Sequence, residues 1–250
     1  MAKRQKKRKK FNIYAFAVSG LGIANVFLIL FLLFYTRGAV VEGNTYCTKS
    51  EIAAAIQDDD LSINTLCVVA EYKLSKGQVP ACIDHMTISL KNPWTLNVHV
   101  VEKTIVGYTE LSDGSYAFFD NTGLIVYKSD TLLSDVPLVE GVRIEGKERY
   151  EKLNDNLSLF EKIGEITLNT QANALSLKRI IYKDSKIYME LAGGMYVSFG
   201  DEVTADKVAL VPTLVNELGD KSGMLHMESY EESKDAVTFM ENESIEIEEK

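Results

Sequence analysis

The feature that most constrains this chain is a run of 26 uncharged residues at positions 11–36, FNIYAFAVSGLGIANVFLILFLLFYT. An α-helix rises about 1.5 Å per residue, so about 20 apolar residues cross the hydrocarbon core of a membrane. The run is therefore long enough for a transmembrane helix. The alternative is a cleaved signal peptide, whose apolar part usually covers only about 7–15 residues before a small-residue cleavage site. The bulky flank FLLFYTRGAV favours a retained anchor instead.

The charges that flank this run indicate how the helix is oriented. Residues 1–10, MAKRQKKRKK, contain seven basic side chains, and the next charged residue is Arg37. Basic segments beside a transmembrane helix stay in the cytoplasm, so everything after Arg37 is expected on the other side. We therefore predict a single-pass protein of the cell membrane with a cytoplasmic N-terminus and extracytoplasmic domains.

The rest of the composition is that of a folded, acidic protein. An apolar fraction of 46% and only four prolines exclude a mostly disordered or collagen-like chain. Outside the first ten residues, 20 basic residues face 36 acidic ones, which gives residues 11–250 a net charge of −16. Because nucleic-acid phosphates require a basic surface, this balance excludes a nucleic-acid partner.

The three cysteines, Cys47, Cys67 and Cys82, would lie in a compartment where disulfides persist. At least one of them must stay unpaired. A bridge between Cys67 and Cys82 is conceivable, but we interpret the cysteines as small buried thiols. Since the sequence has no CxxC motif, it supports neither a zinc knuckle nor a thioredoxin-like redox pair.

The residues that follow the apolar run predict a small module. A short strand over 39–41 precedes a helix that we expect Ser50 to cap, with Ile52 and Ile56 on one side. The second helix shows an irregular apolar stripe formed by Leu66, Val69, Ala70, Lys73 and Leu74. Two alternating runs follow, so the predicted order is β-α-α-β-β.

The two alternating runs predict a β-hairpin with a five-residue loop over 91–95. This register pairs Leu90 with Leu96, Ile88 with Val98 and Met86 with Val100, which puts the apolar side chains on one face. It also places His85 and His99 on the polar face, without a carboxylate or thiol at ligand spacing. We interpret these histidines as exposed sheet residues and not as metal ligands.

From Ile105 onward the pattern predicts a mostly antiparallel sheet with flanking helices, so the fold class is α+β. The first hairpin turns at Gly123, and Thr204 is expected to start a helix that Pro212 kinks or restarts. The other predicted elements are a helix over 147–163, three strands within 176–201, and two final strands in GMLHMESY and DAVTFM. The last ten residues, ENESIEIEEK, have too little apolar content to pack and predict an acidic flexible tail at 241–250.

The sequence offers no positive support for an enzyme. It contains no GxSxG, HExxH, GxGxxG or P-loop pattern, and His226 has no nucleophile beside it in the sequence. Asp58, Asp59 and Asp60 fit a solvated helix end better than a cation site. We therefore predict no catalytic residue, no metal site and no cofactor, although glycosidase carboxylates can lie far apart in a sequence.

The order of these features resembles the FtsQ family of bacterial cell-division proteins, called DivIB in Gram-positive bacteria. The resemblance rests on VEGN at 41–44 before the SEI helix start, and on NPWTLNVHVVEK at 92–103. It continues in YAFFDNTGLIVY at 116–127, VPLVEGV at 136–142 and VSFGD at 197–201. Each motif is short, but their order and spacing extend over nearly all of residues 38–240.

The resemblance implies a basic cytoplasmic tail at 1–10, a transmembrane helix at 11–36, a POTRA domain at 37–104 and a family-type β domain at 105–240. It also implies a non-enzymatic scaffold at the division septum. Its partners would be the extracytoplasmic coiled-coil proteins FtsB (DivIC) and FtsL, together with other septal division proteins. Such a scaffold helps to recruit or regulate septal peptidoglycan synthesis.

In the family, the last strands of the β domain bind FtsB by accepting an added strand. Carried onto this chain, the resemblance implies partner-binding residues at Tyr230, Ala236, Val237, Thr238, Phe239 and Met240. Ordinary core burial is the alternative role for Phe239. The intervening YEESKD is more acidic than the family pattern, and a basic partner segment would fit it.

Two other hypotheses remain open from sequence. The first is a membrane-anchored envelope enzyme that acts on wall polymer, which a deep cleft with carboxyl groups of raised pKa would favour. The second is a POTRA protein of a translocation system, which would usually bring repeated POTRA units. A shallow surface with an open terminal strand would favour the scaffold.

Overall fold

The computed structural model describes residues 13–57, 60–133, 135–230 and 237–245. The chain is a mixed α+β protein that divides into two compact units, with the boundary between Glu102 and Lys103. The predicted basic tail at 1–10 lies outside the described residues. Each unit has its own hydrophobic core.

The first described element is an apolar helix, α1 (Ile13–Leu33). Its segment Tyr14–Leu33 has 20 residues with a mean hydropathy of 2.4, and none of the segment is buried inside the protein. At about 1.5 Å per residue this segment spans about 30 Å, the thickness of the hydrocarbon core. The prediction of one N-terminal helix that is long and apolar enough to cross a membrane is confirmed.

The rest of the first unit is a three-stranded sheet with helices. Its elements are β1 (Gly38–Glu42), α2 (Lys49–Ile56), a 3₁₀ turn (Asp60–Ile63), α3 (Thr65–Lys73), β2 (Ile83–Asn92) and β3 (Thr95–Glu102). The strand order is β1-β3-β2, with β1 parallel and β2 antiparallel to β3. Buried Ile52, Val68, Leu96 and Val98 lie in the core of the unit.

The predicted hairpin register is confirmed, because Leu90 pairs with Leu96, Ile88 with Val98 and Met86 with Val100. His85 and His99 are exposed, as expected. The five-residue loop is wrong. A register shift brings Asn92 opposite Thr95, so only Pro93 and Trp94 remain in the turn.

The predicted details of the two short helices are partly wrong. Helix α2 is capped by Thr48 and not by Ser50, since the Thr48 side chain accepts from the backbone of Glu51 while the Glu51 carboxylate accepts from the backbone of Thr48. In α3, Val68 is fully buried whereas Leu66 is 44% exposed. The apolar stripe predicted through Leu66 is therefore not the buried face.

The interpretation of all three cysteines as buried thiols is wrong for two of them. Cys47 and Cys82 form a disulfide with a Cα–Cα distance of 6.2 Å, and Cys67 is free and half-buried. The carboxylate of Glu102 accepts the backbone N–H groups of Thr45 and Cys47 at 2.8 and 2.7 Å. These bonds hold the segment before α2 against the end of β3, next to the start of β2 where Cys82 lies.

The second unit is built on one mixed sheet of nine strands in the order β12-β11-β10-β9-β8-β7-β4-β5-β6. Five of its eight described pairings are antiparallel and three are parallel. The strands are β4 (Gly107–Glu110), β5 (Tyr116–Phe119), β6 (Ile125–Ser129), β7 (Leu138–Glu140), β8 (Leu177–Lys183), β9 (Lys186–Leu191), β10 (Met195–Gly200), β11 (Gly223–His226) and β12 (Thr238–Glu241). The predicted hairpin around Gly123 and the three strands within 176–201 are confirmed.

Two helices, α4 (Leu157–Ala172) and α5 (Ala205–Leu218), contribute to the core of this unit. Phe119 of the sheet and Phe160 of α4 meet at its centre, with ring centroids 5.4 Å apart. Thr204 caps α5 as predicted, and the helix continues through Pro212 without a restart. Apolar side chains from one face of the sheet and from both helices are thus removed from water.

The helix predicted over 147–163 is wrong in its first half. Asn156 caps α4, with its side chain accepting from the backbone of Leu159, so the helix begins only at Leu157. The preceding segment lies beside the chain at 123–125, where the N–H of Leu153 donates to the carbonyl of Gly123. Leu153 is still buried, because this extended segment delivers it to the same core.

Candidate partner-binding edge

Strand β12 is the outermost described strand of the nine-stranded sheet, and it pairs only with β11 among the strands that the structure defines. Its register pairs Thr238 with His226, Phe239 with Leu225 and Met240 with Met224. An edge strand presents unpaired backbone groups to an incoming strand. This strand contains three of the six residues that the sequence singled out, Thr238, Phe239 and Met240.

The hydrogen-bond pattern shows which backbone groups of β12 face outward. The N–H of Asn242 donates to the carbonyl of Ser222 at 3.1 Å. Residues of an antiparallel strand alternate between facing the partner strand and facing away. The backbone groups of Thr238 and Met240 therefore face β11, and those of Phe239 and Glu241 face the open edge.

The side chains around β12 alternate between the core and solvent. Val237 and Phe239 are half-buried and pack against the core of the unit. The Phe239 ring lies close to Gly223, at 3.0 Å from the position that a Cβ there would take. Thr238 and Met240 are exposed. The ring of Phe239 thus packs against the core, while its backbone N–H and C=O groups face the open edge.

The other predicted site residues outside β12 are Ala236 and Tyr230. Ala236 falls outside the described residues. Tyr230 is half-buried in the turn after β11, where its N–H donates to the carbonyl of Met227 at 3.2 Å. It lines a cavity of about 520 Å³ together with Glu228, Asp201 and Lys186.

Sequence reasoning treated His226 as isolated, and the structure gives it two carboxylate partners. Its Nδ1 lies 3.3 Å from Glu228 and its Nε2 lies 2.9 Å from Glu243. Glu228 also accepts a short hydrogen bond from the hydroxyl of Ser198 on β10. These contacts join β10, β11 and the segment after β12. They also show that the acidic stretch predicted as a tail at 241–250 is placed against the sheet at Glu243.

The electrostatics of this group favour its charged forms. Partial burial would lower the pKa of His226, but hydrogen bonds with Glu243 and Glu228 outweigh it and leave the pKa raised. Burial would raise the pKa of Glu228, but hydrogen bonds from Ser198 and His226 leave it lowered. The two carboxylates therefore favour the protonated imidazole more strongly than water does.

The resolved pKa shifts of carboxyl groups run opposite to the shift that a general acid needs. Among the described residues, the four carboxyl groups whose pKa departs clearly from its ordinary value all have it lowered: Asp113, Asp120, Glu151 and Glu228. Within the same part of the chain, no group of three His, Cys, Asp or Glu side chains is arranged to hold a metal ion. Asp58 and Asp59 lie outside the described residues.

No protein-family model matches this chain. No curated protein matches it either.

Proposed function

We propose that this protein is a non-enzymatic division scaffold of the FtsQ/DivIB type, anchored in the cell membrane at the septum. Its exterior units would bind the extracytoplasmic parts of FtsB (DivIC) and FtsL and help to recruit or regulate septal peptidoglycan synthesis. The observation that carries this proposal is the open edge of β12, which coincides with the segment that the sequence resemblance assigns to partner binding.

Two observations support the proposed topology. The helix Tyr14–Leu33 follows a strongly basic segment, which the positive-inside rule keeps in the cytoplasm. The unit that follows contains the Cys47–Cys82 disulfide. Because disulfides are rare in the cytoplasm, a covalent bridge there fits an extracytoplasmic location.

The element order of the first unit supports its interpretation as a POTRA domain. Two helices lie between β1 and the β2–β3 hairpin, and β1 adds parallel to β3. The NPW motif of the resemblance occupies the tight turn of that hairpin, at Asn92–Trp94. The NPW motif therefore coincides with a position where the chain turns within two residues.

Binding by strand addition follows from the geometry of β12. The outward backbone groups of Phe239 and Glu241 are free of the sheet's own ladder, so a partner strand would gain main-chain hydrogen bonds there. Exposed Met240, 51% accessible, offers apolar area beside them. The acidic side chains of Glu241 and Glu243 favour a partner segment with basic residues.

The absence of catalysis is part of the proposal. An envelope enzyme of the glycosidase kind would need a carboxylic acid that stays protonated near neutral pH. Glu228, which lines the cavity of about 520 Å³, has its pKa shifted in the opposite direction. The lowered pKa supports a structural carboxylate.

The test is binding of the full-length protein, in nanodiscs, to a joined FtsL–FtsB (DivIC) exterior coiled coil from the same bacterium. The decisive variant is Glu241→Pro, because proline removes the outward N–H of an edge strand without breaking a bond to β11. The loss of one hydrogen bond between uncharged groups, together with the bulk of the proline ring, is expected to weaken binding by about tenfold. Glu241→Ala is the matched control, since it removes the same carboxylate and keeps the N–H.

Three outcomes are informative. Weak binding by Glu241→Pro and near-normal binding by Glu241→Ala would support strand addition at β12. Equal binding by both variants would be consistent with the scaffold function but would assign the binding site to another part of the protein. If the unaltered protein does not bind at partner concentrations well into the micromolar range, the division assignment fails.

A further inference from the structure

The chain that leaves helix α1 is bonded directly to one end of the first unit. The N–H of Thr36 donates to the carbonyl of Ile63 at 2.8 Å, and the N–H of Arg37 donates to the carbonyl of Trp94 at 2.8 Å. In the reverse direction, the N–H of Thr65 donates to the carbonyl of Phe34 at 2.9 Å. The start of α3 and the β2–β3 turn are thus fixed within hydrogen-bond distance of the helix end.

This end of the unit carries large apolar side chains that the protein leaves exposed. We call them the basal cluster: Tyr35 (49% exposed), Leu61 (59%), Ile63 (45%), Leu66 (44%) and Trp94 (39%). All five belong to the segments that bond to residues 34–37 or adjoin them in sequence. A soluble surface rarely gathers so many large apolar side chains in one place.

The length of α1 indicates where this cluster would lie relative to the hydrocarbon core of the bilayer. The 20 residues Tyr14–Leu33 match a hydrocarbon core of about 30 Å, so Leu33 lies at its boundary. The interfacial layer beyond that boundary is about 5–7 Å thick on each side. Thr65 is bonded to Phe34, directly after Leu33, and hydrogen-bonded neighbours lie about 4.8 Å apart, so the start of α3 falls within this layer.

The chemistry of the cluster also fits that layer. Tyrosine and tryptophan are enriched at membrane interfaces, where the ring is apolar and one polar group reaches water. The guanidinium of Arg37 lies 5.6 Å from the centroid of the Trp94 ring, which places a cation beside it at the level of the lipid headgroups. Aliphatic Leu61 and Ile63 supply area that can enter the acyl-chain boundary.

We propose that the basal cluster lies in the interfacial layer of the bilayer and holds the first unit against the membrane surface. This inference rests on the proposed membrane anchoring and goes beyond it, because it assigns the lipid surface itself as a binding partner of the exterior unit. It gives Trp94 and Tyr35 a role as interfacial anchors. A lipid surface is favoured over a protein partner because the cluster is continuous with the end of the membrane helix.

Trp94 allows a direct test, since it is the only tryptophan of the chain. The full-length protein is reconstituted at one copy per nanodisc, in phosphatidylcholine–phosphatidylglycerol bilayers with or without acyl chains brominated near the glycerol end. The expected result is strong quenching of Trp94 fluorescence by the brominated lipid. Quenching by aqueous acrylamide should be at least about twofold weaker than at a water-exposed position in the same unit.

That position is provided by a matched variant, Val101→Trp combined with Trp94→Phe. Val101 is exposed and lies seven residues further along β3, about 23 Å from the turn. Its tryptophan should be quenched by acrylamide and not by brominated lipid. Circular dichroism of the variant against the unaltered protein checks that the fold is kept.

The outcomes separate this inference from the anchoring on which it rests. If an alkaline carbonate wash removes the protein from vesicles, the membrane span itself is wrong. If the protein resists the wash but brominated lipid quenches Trp94 no more than the Val101→Trp reporter, the interfacial contact is wrong and the anchor stands. Because each disc holds one copy and no other protein, this second result would indicate that the basal cluster binds a protein partner and not lipid.

Discussion

The Nε2 atom of His226 lies 2.9 Å from a carboxylate oxygen of Glu243, so a side-chain hydrogen bond joins β11 to the segment that follows the edge strand β12. The other ring nitrogen faces Glu228 at 3.3 Å. Only the protonated imidazole can donate to both carboxylates at once. The order of the proposed binding edge is therefore linked to the charge of one histidine.

This link predicts that the edge is held more tightly at mildly acidic pH. A group with a raised pKa in the folded state contributes stability fully below its unfolded pKa of about 6.5 and loses it as pH rises through the folded value. Glu243 is more than one third exposed, so solvent screening limits the contribution to about 0.5 kcal/mol. Hydrogen exchange of the Thr238 and Met240 amides, corrected for intrinsic rates, should show protection that falls between pH 6 and pH 8.

The control for this prediction is His226→Gln, which retains a polar side chain and cannot titrate. Its amide protection should be independent of pH over the same range. The other charged groups that line the same cavity are Glu228, Glu243, Lys183 and Lys186, and this substitution leaves all of them in place. An unchanged pH dependence in His226→Gln would assign the effect to another group.

The Cys47–Cys82 bridge predicts a large stability difference between two sets of cysteine variants. It closes a loop of 35 residues, and its removal by Cys47→Ser with Cys82→Ser should lower the free energy of unfolding by about 2–4 kcal/mol. Cys67→Ser is the matched control and should change it by much less, because Cys67 is unbridged. Urea unfolding measures both, and alkylation of three thiols in the unreduced protein would contradict the bridge.

Two glycines with similar backbone geometry should respond differently to alanine. Gly141 has φ +78°, and a Cβ there would lie 1.9 Å from the carbonyl oxygen of Tyr182 on the neighbouring strand. Gly193 has φ +89°, with no heavy atom within 4 Å of such a Cβ. We expect Gly193→Ala to cost about 1 kcal/mol of backbone strain and Gly141→Ala to cost more than about 2 kcal/mol. Equal urea midpoints for the two variants would show that the backbone of Tyr182 can move aside.

Local pattern predicted much of this fold, because the relevant interactions are between neighbours in the sequence. The alternation of Met86, Ile88 and Leu90 with their partners in β3 fixed the hairpin register, since a slip of one residue would turn every apolar side chain outward. The cap at Thr204 was predictable for the same reason. The helix predicted over 147–163 was wrong in its first half because Leu153 has helical spacing although it is buried from an extended segment.

The features that sequence did not reveal depend on residues far apart in the chain. Cys47 bonds to Cys82, 35 residues away, and lies in a loop whose backbone N–H groups are accepted by Glu102, more than 50 residues away. His226 meets Glu243 only because β12 returns antiparallel to β11. Neither pairing has a local spacing that a single sequence displays, so tertiary structure was needed to find them.

The last prediction distinguishes the two roles open to Phe239. The ring of Phe239 is half-buried against the core near Gly223, so Phe239→Ala should lower the free energy of unfolding by about 1–2 kcal/mol. Met240 is exposed, so Met240→Ala should change the free energy of unfolding by less than about 0.5 kcal/mol. Phe239→Leu retains apolar volume and should recover most of the loss. Because strand addition uses the backbone of residue 239, Phe239→Leu should also bind the FtsL–FtsB (DivIC) coiled coil with nearly unaltered affinity. If Phe239→Leu is as stable as the unaltered protein and still loses the partner, the aromatic ring itself contacts the partner and its place in the core is secondary.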